Sequence, residues 1–243
     1  MGVGSAAEAA TGAGASGSAV KLLLFYQSAI GKKFVMAVTG LILFGFVLVH
    51  MLGNLQVYLG AAVMNEYGRK LHEAAPLLWG ARAVLLASVL LHIVAALQLM
   101  RLNAGARPQG YVKLSPQVSN YATRTMRWSG PILAAFIIYH LLHFTTGTAH
   151  PDFAWQDRAA HVPAPYENVV AGFSNPLVSA FYILSMILLG MHINHGAWSL
   201  FQSIGFHHPR YTPLLRKLGR YASYALVAGN CSIPIAVMAG VVR

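Results

Sequence analysis

Five stretches of this chain contain no Asp, Glu, Lys or Arg: 34–65, 83–100, 128–151, 168–209 and 221–242. Each is at least 18 residues long. A bilayer core of ~30 Å needs ~20 apolar residues as helix. Backbone groups in lipid must also be satisfied within the segment, and a helix does this. The pattern therefore predicts five transmembrane helices, at about 34–58, 79–101, 128–149, 177–201 and 219–242. Only 9% of the 243 residues are charged and 56% are hydrophobic, against ~25% charged in a soluble domain. No segment between the spans is large enough to bury a core of its own. The expected fold is an all-α five-helix membrane bundle over residues 21–243. The Ala/Gly/Ser-rich residues 1–20 read as a flexible tail.

The basic residues set the orientation. With the N-terminus inside, twelve Lys and Arg fall on the inner segments, among them Lys32, Lys33, Arg101, Arg127 and Arg216. Five fall outside: Arg69, Lys70, Arg82, Arg158 and Arg243. The positive-inside rule favours this arrangement, with the C-terminus outside. It also accounts for the net charge of +11. Basic residues spread over three membrane-flanking segments do not form a nucleic-acid surface. The single cysteine, Cys231, excludes an internal disulfide and an iron–sulfur cluster held by this chain alone. No GxGxxG follows a strand-like run, so no dinucleotide or flavin domain is expected.

Six of the eleven histidines fall inside spans: His50, His92, His140, His143, His192 and His195. Intramembrane ionisable residues are costly and usually face the bundle interior. Counted from the nearest inner-side basic residue, His50 lies ~25 Å from the inner edge, His140 ~20 Å, His143 ~24 Å and His92 ~14 Å. His192 also falls in the inner half. The set splits into an outer layer, His50 with His140 or His143, and an inner layer, His92 with His192. Two layers with two helices each suggest two bis-histidine b-type haems, since haem iron takes axial His ligands and bundle cores house such cofactors. Gly45 and Gly53 near His50, and Gly190 and Gly196 near His192, would leave room for a porphyrin face or simply let helices approach. The rival class is a haem-free transporter with a His proton relay. Such relays recruit acids, and no Asp or Glu lies in any predicted span.

Four stretches carry a resemblance: "SAIGKKFVMAVTGLILFGFVLVHMLGN" (28–54), "NEYGRKLH" (65–72), "IIYHLLHFTTG" (137–147) and "MHINHGAWSLFQSIG" (191–205). They resemble the cytochrome b558 family, the five-helix dihaem membrane anchors of succinate:quinone oxidoreductases and fumarate reductases. The resemblance implies that His50 and His140 ligate an outer haem b, and that His92 and His192 ligate an inner one. His143 and His195, one turn further along their helices, become second-sphere residues. The family further implies a flavoprotein and an iron–sulfur partner, a membrane quinone (menaquinone by preference), and a bacterial cytoplasmic membrane. The direction of turnover stays open between succinate oxidation and fumarate reduction. Another dehydrogenase, such as a formate dehydrogenase or hydrogenase, is the alternative partner. Some fumarate reductases of this type carry a Glu two residues before the helix-four ligand, linked to transmembrane proton movement. This chain has Gly190 there, which removes that acid. Gln27 and Ser28 are weak candidates for hydrogen bonds to quinone, with an ordinary helix cap as the competing role for Ser28. Asn65 and Glu66 fall near the outer layer, and His207 and His208 on the inner surface.

Overall fold

The computed structural model describes residues 17, 20, 21, 23–106, 121–150, 152–206 and 208–243. The proposed tail at 1–20 lies outside these apart from Gly17 and Val20, and so do 107–120 of the inner loop and His207. Among the described residues, the α-helices run in the order α1 (Ala29–Asn54), α2 (Ala61–Glu73), α3 (Ala75–Gly105), α4 (Tyr121–His140), α5 (Pro165–Phe173), α6 (Pro176–Ser203) and α7 (Thr212–Met238). Among the described residues, five segments are long and apolar enough to cross a membrane: Ala29–Leu59, Ala75–Gly105, Trp128–Thr145, Pro176–Ser203 and Thr212–Met238.

Two spans begin at a side-chain cap, not where charge stops. Ser28 accepts the amide of Gly31 at 2.9 Å, so α1 starts five residues before the charge-silent stretch and includes Lys32 and Lys33. Asn175 caps α6 through the amides of Leu177 and Val178. Pro213 opens α7, and the first turns of that helix carry Arg216, Lys217 and Arg220. Such cations are tolerated at a membrane interface, because their long side chains reach the headgroups. Past Met238, Gly240 at φ +71 reverses the chain, and the amide of Val241 closes on the Ala236 carbonyl at 2.9 Å. The fifth span is therefore shifted toward the N-terminus relative to 219–242.

Within the bundle, α6 packs against α7, α4 and α1, while α1 also packs against α3 and α7. Most of the outer surface is apolar. Leu177 is 80% exposed, Leu77 71% and Val49 63%. Each such side chain in water forgoes ~1.5–3 kcal/mol of burial, and a surface made of them is a lipid-facing surface.

One end of the bundle carries a cap. It consists of α2, α5 and a short hairpin of β1 (Trp155–Asp157) and β2 (Val162–Pro163), which pair antiparallel. Asn65 ties it together. Its Nδ2 donates to Glu167 at 2.8 Å, its Oδ1 accepts the Tyr166 amide at 3.1 Å, and its carbonyl accepts Gln156 Nε2 at 2.9 Å. Buried Asn168 exchanges two hydrogen bonds with the backbone of Ala154. Between the third and fourth predicted spans the sequence offers Pro151, Pro163, Pro165 and Pro176 and no signal for the hairpin or α5.

Candidate haem sites

Two histidine pairs face each other across the bundle core. His50 on α1 and His140, the last residue of α4, have ring centres 5.7 Å apart with planes at 89°. His92 on α3 and His192 on α6 are 6.3 Å apart at 57°. Their levels can be measured along two helices. Thr39 touches His92, and His50 lies eleven residues further on, ~16 Å at the rise of an α-helix. Tyr182 touches His140, and His192 lies ten residues further on, ~15 Å. Both helices give the same spacing, and His50/His140 is the pair nearer the cap.

Near the cap, each ring is held by a phenylalanine four residues before it. Phe46 stacks on His50 at 5.1 Å and 22°, and Phe136 stacks on His140 at 5.7 Å and 28°. The i,i+4 spacing puts both members on one helix face. Immediately after His140 the helix widens into a π-turn over Leu141–Thr145, with the Thr146 amide reaching the Leu141 carbonyl at 2.9 Å. The wider turn carries His143 into the protein, where it is 1% exposed and stacks on His150 at 5.1 Å and 10°. The site for its ring exists because residue 172 is glycine: a Cβ there would lie 2.8 Å from the imidazole.

The Tyr182 hydroxyl lies 2.9 Å from His143 Nδ1 and 3.3 Å from His140 Nδ1. A phenol has one proton. Donated over the shorter distance to His143, it leaves the oxygen to accept Nδ1–H of His140. In that arrangement His140 keeps a lone pair on Nε2, the form that binds a metal, and His143 carries its proton on Nε2, a buried atom with no partner among the described residues. The other pair uses a simpler device. Thr39 Oγ1 donates to the Val35 carbonyl at 2.7 Å and so accepts Nδ1–H of His92 at 3.1 Å. His192 Nδ1 is buried and has no hydrogen-bond partner among the described residues. His195 lies half-buried one turn further along α6.

The four flanking glycines divide. Gly45 and Gly196 have nothing within 4 Å of the position a Cβ would take, whereas a Cβ on Gly53 would meet the Tyr67 ring at 3.0 Å and one on Gly190 would meet Val227 at 2.3 Å. Gly53 and Gly190 are thus packing glycines. Gly45 and Gly196 adjoin open space.

The quinone candidates near the other end are largely committed. Besides capping α1, Ser28 Oγ donates to the Phe25 carbonyl at 2.6 Å. The Gln27 side chain is exposed. The Gln27 backbone carbonyl accepts Lys32 Nζ at 2.7 Å, and Lys32, only 8% exposed, also donates to the Tyr26 carbonyl at 3.0 Å. On the cap, Glu66 is forked by Arg69 at 2.6 and 2.8 Å. That hydrogen-bonded guanidinium holds the carboxyl below the usual range, so Glu66 is an ionised surface acid at neutral pH. His208 accepts the Arg210 amide at 3.1 Å, within a surface turn.

Haem fits this donor set better than a bare metal ion. Among the described residues no three His, Cys, Asp or Glu side chains converge as a metal site. Haem asks the protein for only two ligands, since the porphyrin supplies the other four. Two imidazoles bound to one metal at ~2 Å each have ring centres ~6 Å apart, close to both observed separations. The tautomers set by Tyr182 and Thr39, the unpartnered His192 Nδ1 and the open space at Gly45 and Gly196 agree with such a ligand. Tyr182, Thr39 and the two stacking phenylalanines were not singled out from sequence. The chain matches no protein-family model, and no match was found among curated proteins or solved structures.

Proposed function

We propose that this chain is the dihaem cytochrome b anchor of a succinate:quinone oxidoreductase. The observation that carries the reading is the pair of facing histidine couples, drawn from four spans and set at two levels ~15 Å apart along the helices. His50 and His140 hold one haem iron, and His92 and His192 hold the other. Haem at these levels supplies one-electron transfer between an iron–sulfur partner at one face and quinone in the bilayer. The chain's own residues orient that chemistry. Tyr182 and Thr39 direct the Nε2 lone pairs of His140 and His92 inward, Phe46 and Phe136 fix two of the rings, and lipid-facing apolar side chains keep water away.

The cap end lies outside a bacterial cytoplasmic membrane, following the charge bias of the loops. The opposite end, richer in Lys and Arg, meets a flavoprotein and an iron–sulfur subunit. Menaquinone is the expected quinone.

Affinity purification of the tagged chain from its native membranes in mild detergent tests the partner. A flavin-containing chain and a Cys-rich ferredoxin-like chain should co-purify, and succinate should reduce the b-type absorbance. Co-purification of a formate dehydrogenase or hydrogenase subunit instead would reassign the partner. A chain that co-purifies with neither and shows no b-type absorbance would fit the transporter reading.

A further inference from the structure

The outer cap contains a cleft of about 280 Å³ between the end of the third span and the hairpin. Thr146, His150, Arg158 and His161 contribute polar groups to it, and Phe153 and Trp155 form an apolar wall. No carboxylate among the described residues lines it. Two acids adjoin lining residues in sequence: Asp152, beside Phe153, is exposed, and Asp157, beside Arg158, is turned into the hairpin loop, where it accepts the Ala160 amide at 3.0 Å. Arg158 takes part in no ion pair among the described residues. His150 Nδ1 is buried with no partner among them.

His161 is the only described non-glycine residue with positive φ, at 55°. That backbone region is unfavourable for a residue with a Cβ, and such outliers cluster at ligand-binding positions. Here the conformation sets the imidazole edge-on to Trp155, at 5.9 Å and 85°, in the same cleft as Arg158. Three residues, His150, Arg158 and His161, thus offer hydrogen-bond donors, the Thr146 hydroxyl being taken up by the Leu142 carbonyl and Thr148, and no described carboxylate lines the cleft beside them. Arg alone can saturate a planar carboxylate through its two-pronged fork, whereas a phosphate has acceptor oxygens for the additional donors.

We propose that this cleft binds a phosphate group at the outer membrane face, as a lipid headgroup or as a free phosphate. Trp155 suits the headgroup level, and the Phe153/Trp155 wall would contact the carbon attached to the ester. The cleft is distinct from the space between His50 and His140, because the stacked rings of His150 and His143 and the Tyr182 side chain lie between them.

The test uses the full chain, purified and depleted of lipid. It is titrated with phosphatidylglycerol and, separately, with inorganic phosphate. Binding is read by native mass spectrometry and by the emission difference between the wild type and Trp155→Phe. One adduct per chain is expected, weakened at least tenfold in Arg158→Gln. Arg82→Gln is the control, because Arg82 is a cap-end cation lying over Trp79 at 4.8 Å, and it should bind as the wild type does. A response to lipid alone assigns the headgroup, and a response to inorganic phosphate assigns a free phosphate. Equal binding by Arg158→Gln and wild type for both probes, or equal losses in both Arg variants, would overturn the proposal.

Discussion

The two histidine pairs reach similar ring separations by different means. The cap-side pair is enclosed by aromatic rings. Phe46 and Phe136 stack on its members, and one phenol ties His140 to His143. The pair further from the cap has the Thr39 hydroxyl on His92 and, on His192, a buried Nδ1 with no partner among the described residues. The cap-side pair is over-determined, and the other has a ring, that of His192, whose Nδ1 no described residue holds. A site held from several directions should tolerate loss of one support. A site held by one contact should not.

The largest effect separates the pairs outright. His140→Ala is expected to reduce haem content from two to about one per chain, with the remaining haem at the far pair, and His92→Ala should do the reverse. Haem quantification with low-temperature optical spectra reads this. If either single variant lost both haems, the two pairs would not be independent sites.

The next effect compares the supports. Loss of an outer hydrogen-bond partner typically costs 10–100-fold in metal affinity. Thr39→Val should approach the upper end for the haem at His92. Tyr182→Phe should fall lower for the haem at His140, because the phenylalanine stack persists. Haem-release kinetics measure both, and a greater loss in Tyr182→Phe would invert the comparison. His143→Ala should keep the cap-side haem but shift its redox potential, since it removes the acceptor of the Tyr182 proton.

The glycines sharpen the same contrast. Gly190→Ala places a Cβ against Val227 and should cost ~1–3 kcal/mol of stability by overpacking α6 on α7, read by thermal unfolding. Gly196→Ala meets no protein atom, so it should leave the fold intact and lower haem occupancy. Smallest of all is Glu66→Gln. Its carboxylate makes only surface contacts with Arg69 and Lys70, and the substitution should leave haem content unchanged.

Much of this was legible in the charge pattern. Long charge-free stretches report spans because lipid excludes charge, and equal helical rise turns sequence distance into depth, which grouped His50 with the third span and His92 with His192. Depth could not choose between His140 and His143, because a π-turn changes which way a side chain points without changing how deep it lies. Tyr182 was hidden for a related reason: an apolar helix can carry a tyrosine at the lipid interface or in the core, and only the neighbouring helix decides. Thr39 sits mid-span, where threonine is as easily satisfied by its own backbone as by a partner. Gly53 and Gly190 look the same in sequence as Gly45 and Gly196, yet one kind makes room for a neighbouring side chain and the other for none.

The account rests on haem at both pairs. Its most direct test is a haem-extraction assay with dithionite-reduced spectra on the purified full-length chain, expressed with haem supplied. The account predicts a b-type α band and close to two haem b per chain. A folded, monodisperse chain purified without haem would contradict it.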